Sequence, residues 1–286
     1  LSIMKVLTNL ARKPVIGLFT AIVAFSLATS LQAQTAPQKS QVRAVKGAAF
    51  YTPPGGKRTA LKNNTMLAPG TKIETEAKAS VDIFMGAMAG MVRVAEKSTL
   101  VLEQYNVTKT SVDQVIDVQL NLPEGTIYGT VNKLSAASKY HIKTPDGVAG
   151  VRGTKYTISV KRDPATGKVT SFTLVSDGTV IVIKPSATGG TAQNAPPGSS
   201  VTSADGQTIF TITSGAVVNE DGTLTTMNQA QATEAMNNIE PLDAVLPQLI
   251  AEAGEGGLPT PPTPPAPPTP PTDGGEPGQP EIPITR

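Results

Sequence analysis

Apolar and polar residues alternate with a period of two through much of residues 39–184, the spacing of half-buried strands and not of a helix. In residues 80–85, Val81, Ile83 and Met85 fall on one face, with Asp82 and Phe84 on the other. Similar β-rich runs occupy residues 91–94, 99–103, 115–122 and 126–131, set apart by Gly, Pro, Asn and Asp. The clearest hairpin joins residues 155–162 to 168–175. Tyr156, Ile158 and Val160 share a face, Asp163-Pro164 opens the turn, and Gly167 supplies a positive φ where the second strand begins. Three acidic-Gly-Thr steps, Glu124-Gly125-Thr126, Asp177-Gly178-Thr179 and Asp221-Gly222-Thr223, are expected to open strands. Their unequal spacing reflects shared turn chemistry and not a fixed repeat.

The pattern changes after residue 184. Residues 185–206 read as a linker by composition, and a small β/α extension over 207–253 follows. Within it, residues 207–213, 216–219 and 223–226 are strand-like. Helix formers return from Met227, and Pro241 and Pro247 are expected to divide them into short helices. Leu242, Val245, Leu246, Leu249 and Ile250 form an apolar stripe suited to docking on the β domain. Residues 254–286 carry the run PTPPTPPAPPTPPT and read as a disordered, proline-rich tail of polyproline II character.

At the other end, Lys5, Arg12 and Lys13 precede an uncharged apolar run over residues 14–30, and small residues follow. That order is the one of a signal peptide over 1–33, cut after Ala33, with Ser30 and Ala36 as alternative cut sites. An uncleaved membrane anchor is the competing reading, because the run nears the length of a spanning helix. The expected location is the periplasm, the outside or the cell surface.

Composition narrows the chemistry. The 286 residues contain no Cys and one His, which removes disulfides, thiolate metal sites and cysteine nucleophiles. No cofactor is expected. Charge is unevenly placed: residues 39–184 carry a net +9 and residues 185–286 a net −10. Such blocks fit a solvated basic domain with an acidic tail, a basic surface for an anionic envelope polymer, or pairing of tail with domain. Sparse aromatics argue against nucleic acid.

The remaining candidates are few. Met85, Met88 and Met91 offer soft thioethers at three-residue spacing, but among glycines and alanines they read as a loop, and no metal is assigned. His141 lies in an alternating strand and reads as half-exposed, not as a base. The acid pairs Asp113/Asp117 and Glu74/Glu76 have glycosidase-like composition but polar neighbours, and read as solvated. Asn63 and Asn106 begin glycosylation sequons. No catalytic residue is assigned.

Residues 140–160, YHIKTPDGVAGVRGTKYTISV, resemble the core of the FecR domain family, whose pattern is F-x-V-x-TP…VRGT-x-F-x-V. The resemblance extends to Leu122-Pro123-Glu124-Gly125-Thr126 and to residues 67–75, and covers about residues 42–184. It implies an all-β envelope domain of stacked hairpins, and in the founding members a periplasmic signalling part joined to a cytoplasmic anti-sigma segment. Within the core, Thr144, Pro145, Gly150, Val151, Arg152, Gly153 and Thr154 read as structural. Pro145 keeps Thr144 extended; Gly147, Gly150 and Gly153 permit a positive φ or a close backbone approach; Arg152 reaches a carboxylate or carbonyls.

The expected architecture is therefore mainly β, of stacked hairpins in a solenoid- or sandwich-like FecR-type domain over 39–184, followed by the linker, the extension and the tail. The expected function is non-enzymatic binding or scaffolding in the envelope, with a protein or an anionic polymer as partner. Signal sensing related to the anti-sigma regulators is the alternative, and carbohydrate hydrolysis a lower one.

Overall fold

A computed structural model describes residues 34–109, 114–185, 191–192 and 195–253. The signal peptide assigned to 1–33 and the tail assigned to 254–286 lie outside them. The strands are β1 (Gln34–Pro37), β2 (Ser40–Lys46), β3 (Ala49–Thr52), β4 (Thr59–Ala60), β5 (Met66–Leu67), β6 (Thr71–Thr75), β7 (Ser80–Phe84), β8 (Met91–Val94) and β9 (Thr99–Lys109). They continue with β10 (Gln114–Val131), β11 (Lys139–Thr144), β12 (Gly147–Arg162), β13 (Val169–Pro185), β14 (Thr191–Ala192), β15 (Ser200–Ala204), β16 (Gln207–Thr213), β17 (Ala216–Val218) and β18 (Thr223–Thr226). One helix, α1 (Gln229–Ala253), follows.

The pairings build two sheets that share three strands. The front sheet runs β4, β3, β6, β9, the first half of β10, β11, the first half of β12, the second half of β13, β16 and β15, with β1 on the far half of β9. The back sheet runs β5, β2, β7, β8, the second half of β10, the second half of β12, the first half of β13, β17, β18 and β14. Among the described residues β4, β5, β14 and β15 each pair on one side only, so the sheet does not close. The resulting sandwich encloses one core, with Leu100, Val118, Leu120 and Ile142 from the front and Val81, Ile83, Ile158 and Val175 from the back.

Glycines make the crossings possible. β10 turns from front to back at Gly125 (φ 93°) and β12 at Gly153 (φ 64°), while β13 turns from back to front at Gly178 (φ 89°). The ladders slip register near all three corners, the β12–β13 slip lying between Gly153 and Gly178, as bulges that bend strands do. Two of the acidic-Gly-Thr steps thus lie inside continuous strands instead of opening them; only Asp221-Gly222-Thr223 precedes a strand. Local composition marks a place where the chain changes direction but does not say whether pairing stops there.

Two further differences concern the C-terminal part. Residues 200–204, within the segment read as linker, form an edge strand joined to β16 across Asp205-Gly206, both at positive φ. β16 then pairs with β13 over seven residues, so residues 207–213 continue the front sheet. The expected short helices are one continuous helix. Pro241 and Pro247 lack N–H groups, and each deprives the helix of one i→i−4 bond. Both lie on its exposed side, while Ala235, Ile239, Leu242, Leu246 and Leu249 are buried along the other. Docking of that stripe offsets what the prolines cost. Val245, expected in the stripe, is exposed. No helix among the described residues is long and apolar enough to cross a membrane.

Candidate functional site

The two outer faces of the sandwich differ. On the back sheet Phe84 and Met91 pack under Leu242, Leu246 and Leu249, and Tyr128, Leu174 and Val217 under Ala235 and Ile239. Polar contacts hold α1 in place: Lys155 Nζ meets Asp243 Oδ2 at 2.7 Å and Arg43 meets Glu252 at 3.6 Å. Tyr128 donates to Glu234 Oε1 at 2.7 Å, and Arg93, clasping Asp82 at 2.7 and 2.8 Å, also donates to the Asn238 carbonyl. Acids of the C-terminal half thus meet cations of the basic half, a third pair being Glu220 with Lys161.

No described element covers the centre of the front face. Its polar side chains pair largely with one another: Lys143 Nζ bonds Glu103 at 2.6 Å, Asn121 donates to the same carboxylate at 3.0 Å, and Gln104 donates to Asp117 Oδ2 at 2.6 Å, while Asp117 Oδ1 has no hydrogen-bond partner. Beside it the surface turns apolar. Val148 is 37% and Ile181 46% exposed, with Ile183 and Ile209 half-buried next to them. In cross-strand register, His141 stands opposite Gly150 and Gly150 opposite Ile181. Gly150 has no positive φ, and a Cβ built there would come no closer than 3.8 Å to any atom. The glycine floors a shallow step between His141 and Ile181, and no steric demand explains it.

The rest of the motif has definite structural contacts. Thr144 and Gly147 pair across the Pro145-Asp146 turn, with Thr144 Oγ1 donating to Asp146 Oδ1 at 2.9 Å. Asp146 Oδ2 accepts from the Ser171 N–H at 2.9 Å and from Lys184 Nζ at 3.0 Å, and Lys184 Nζ also donates to the Ser171 carbonyl at 2.7 Å. The Lys184 side chain is fully buried. Ser171 belongs to the back sheet and Lys184 to the front, so this polar clamp ties the two layers at one end of the sandwich. Burial raises the Asp146 carboxyl pKa, but the Ser171 and Lys184 hydrogen bonds outweigh it and hold the pKa below the usual value.

At the opposite end, Arg152 donates from Nε to the Leu134 carbonyl at 3.1 Å, a carbonyl and not a carboxylate. Val151 points into the core, and Thr154 Oγ1 bonds the Thr179 carbonyl at 2.9 Å. A Cβ on Gly147 would lie 2.5 Å from the Ile183 carbonyl oxygen, the close approach expected of it. Tyr156, in the aromatic slot of the motif, is buried with its hydroxyl 3.5 Å from that of Tyr140. Burial pushes both hydroxyls well above the usual tyrosine range.

The other candidates do not converge. Met85 is in the sandwich core beneath the Tyr140 hydroxyl, while Met91 is under α1 on the other side of the back sheet, so the two cannot share an ion. Glu74 and Glu76 pair with Arg58. Asp113 lies outside the described residues, and Asp117 is held by Gln104. Asn63 accepts from the Val45 N–H at 2.9 Å, and Asn106 lies within β9. Among the described residues no three His, Cys, Asp or Glu side chains group as a metal site. The Lys184–Asp146 clamp escaped sequence reasoning, because Lys184 looks like an ordinary strand-end cation until β13 is seen to span both sheets.

Residues 71–181 match the family model described as FecR protein, from the start of β6 into the second half of β13. Comparisons with curated proteins and with solved structures gave no match.

Proposed function

Because residues 71–181 form a FecR-family domain, a domain of periplasmic type, we propose that the chain is a non-enzymatic envelope protein that senses a protein partner through its front sheet, as a signal-regulatory component does. The observation that carries this reading is the contrast between the faces: α1 covers the back, whereas Val148 and Ile181 stand exposed around Gly150 on the front. A protein partner is favoured over an anionic polymer because this face carries an exposed apolar patch at Val148 and Ile181, and Lys143 beside it is already paired with Glu103. An exposed apolar patch beside polar groups that pair with one another is the composition of a protein interface.

Val148→Asp with Ile181→Asp places two charges on a solvated face. The double variant is expected to keep its melting temperature within a few degrees, about the effect of ordinary surface changes. It is expected to lose the partner recovered by cross-linking in envelopes of the native host. A folded double variant that still cross-links to that partner would exclude the front face.

Export follows from the leader, and β1 bears on its cut site. Gln34, Thr35 and Ala36 pair with Lys109, Thr108 and Val107, so a cut after Ala36 would remove most of β1. A mature terminus at Gln34 is expected, and intact-mass analysis of the exported protein checks it. A terminus at Pro37 would mean that β1 is dispensable.

A further inference from the structure

The sandwich core contains no residue of α1. The helix meets only the outer face of the back sheet, where it forms two apolar clusters of its own with that face, and it shares no backbone ladder with the strands. Its buried residues fall at 235, 239, 242, 246 and 249, alternating steps of four and three that keep one narrow stripe on the sheet. Two internal prolines weaken it as an isolated helix. Its ion pairs are half-solvated: Lys155 and Asp243 are 36% and 40% exposed, and Glu252 is 55% exposed.

The surface beneath is complementary to such a helix and specific in its chemistry. Phe84, Met91, Tyr128, Leu174 and Val217 form the apolar track, and Arg43, Arg93 and Lys155 supply the cations that meet acidic residues or a helix carbonyl. We infer that the back sheet is a docking site for an acidic amphipathic helix supplied in trans by a partner protein, and that α1 is its resident, displaceable occupant. Arg43 and Lys155 select acidic helices over basic ones, while Arg93, already paired with Asp82, offers a donor to a helix carbonyl. Displacement requires α1 to leave while the sandwich stays folded, which the separation of the cores permits. The inference does not depend on what binds the front sheet.

The absence of cysteine in the chain gives a clean probe. Val217 and Val218 are adjacent and both fully buried, but Val217 lies under α1 whereas Val218 faces the sandwich core. In the full-length chain, Val217→Cys is expected to react with a thiol reagent at least about tenfold faster than Val218→Cys, because a local opening is cheaper than a global one. A synthetic peptide of residues 229–253, added in excess, is expected to slow labelling of the Val217→Cys chain. The same peptide carrying Leu242→Asp and Leu246→Asp is expected to leave it unchanged.

A full-length chain with Leu242→Asp and Leu246→Asp in its own helix is expected to bind the unaltered peptide at least about tenfold more tightly than the parent chain does, since the resident no longer competes. Equal labelling of the two cysteine variants would overturn the proposal. So would labelling at Val217→Cys that the peptide does not slow. Protection that instead grows with protein concentration, together with dimer formation, would also overturn it, in favour of helix exchange between copies of this chain.

Discussion

Gly178→Ala is expected to leave the protein largely unfolded at room temperature. Gly178 sits at φ 89°, where an L side chain is strained by about 1–3 kcal/mol. The added Cβ would also lie 2.2 Å from the Gly153 carbonyl oxygen, which is backbone at another corner and has no rotamer to escape into. The two costs act at the same point and together approach the whole stability of an ordinary domain, about 5–15 kcal/mol. Gly150→Ala is the matched control. With ordinary backbone angles and 3.8 Å of clearance, it is expected to be neutral or to stabilise by up to about 1 kcal/mol, through the unfolded chain. Urea unfolding of the two variants beside the parent measures both. Equal effects would show that the corner at Gly178 is not the constraint described.

Asp146→Ala is expected to destabilise by about 3–5 kcal/mol, the scale for stranding one charge of a buried pair. Lys184 would remain fully buried with only the Ser171 carbonyl to receive its protons. Adding Lys184→Met removes the stranded charge and is expected to recover most of the loss, because an apolar side chain of similar length replaces a pair that costs much to desolvate. A double variant no more stable than Asp146→Ala alone would show that the clamp acts through hydrogen bonding of the turn and not through charge.

The same clamp sets a direction for pH. The folded-state pKa of Asp146 lies below its unfolded value, so its contribution is complete above the ordinary carboxylate pKa of about 3.9. That contribution is lost as pH falls from there through the folded value. Asp146→Asn is expected to remove this part of the acid slope and to leave neutral pH the reference condition for comparing the variants.

The strands were legible in the sequence wherever one face is buried and the other solvated. The hairpin of Tyr156, Ile158 and Val160 and the alternation of residues 80–85 read directly, because period two follows from strand geometry. Phe84 and Met91 are the instructive exceptions: they are apolar residues on the outward register, buried under a helix more than 140 residues further along. An apolar residue on the polar face was the available sign that something covers the back sheet. The second role of each long strand was not legible. Residues 115–131 look like two strands separated by Pro123-Glu124-Gly125, and whether pairing continues through a corner depends on partners distant in sequence. Gly150 and Gly153 are three residues apart in one motif, yet one is an obligatory corner and the other an open floor.

Three strands that each belong to both sheets also constrain how the molecule is assembled. Neither sheet can be completed alone, since β10, β12 and β13 must cross before either ladder has its central members. Many of the pairings join distant parts of the chain, as when β1 meets β9 and β2 meets β7. Loops of that length must close before their contacts are gained, which places such topologies among the slow folders, in milliseconds to seconds. Both ladders therefore depend on the corners at Gly125, Gly153 and Gly178, whereas α1 only adds to a surface that the sandwich has already formed.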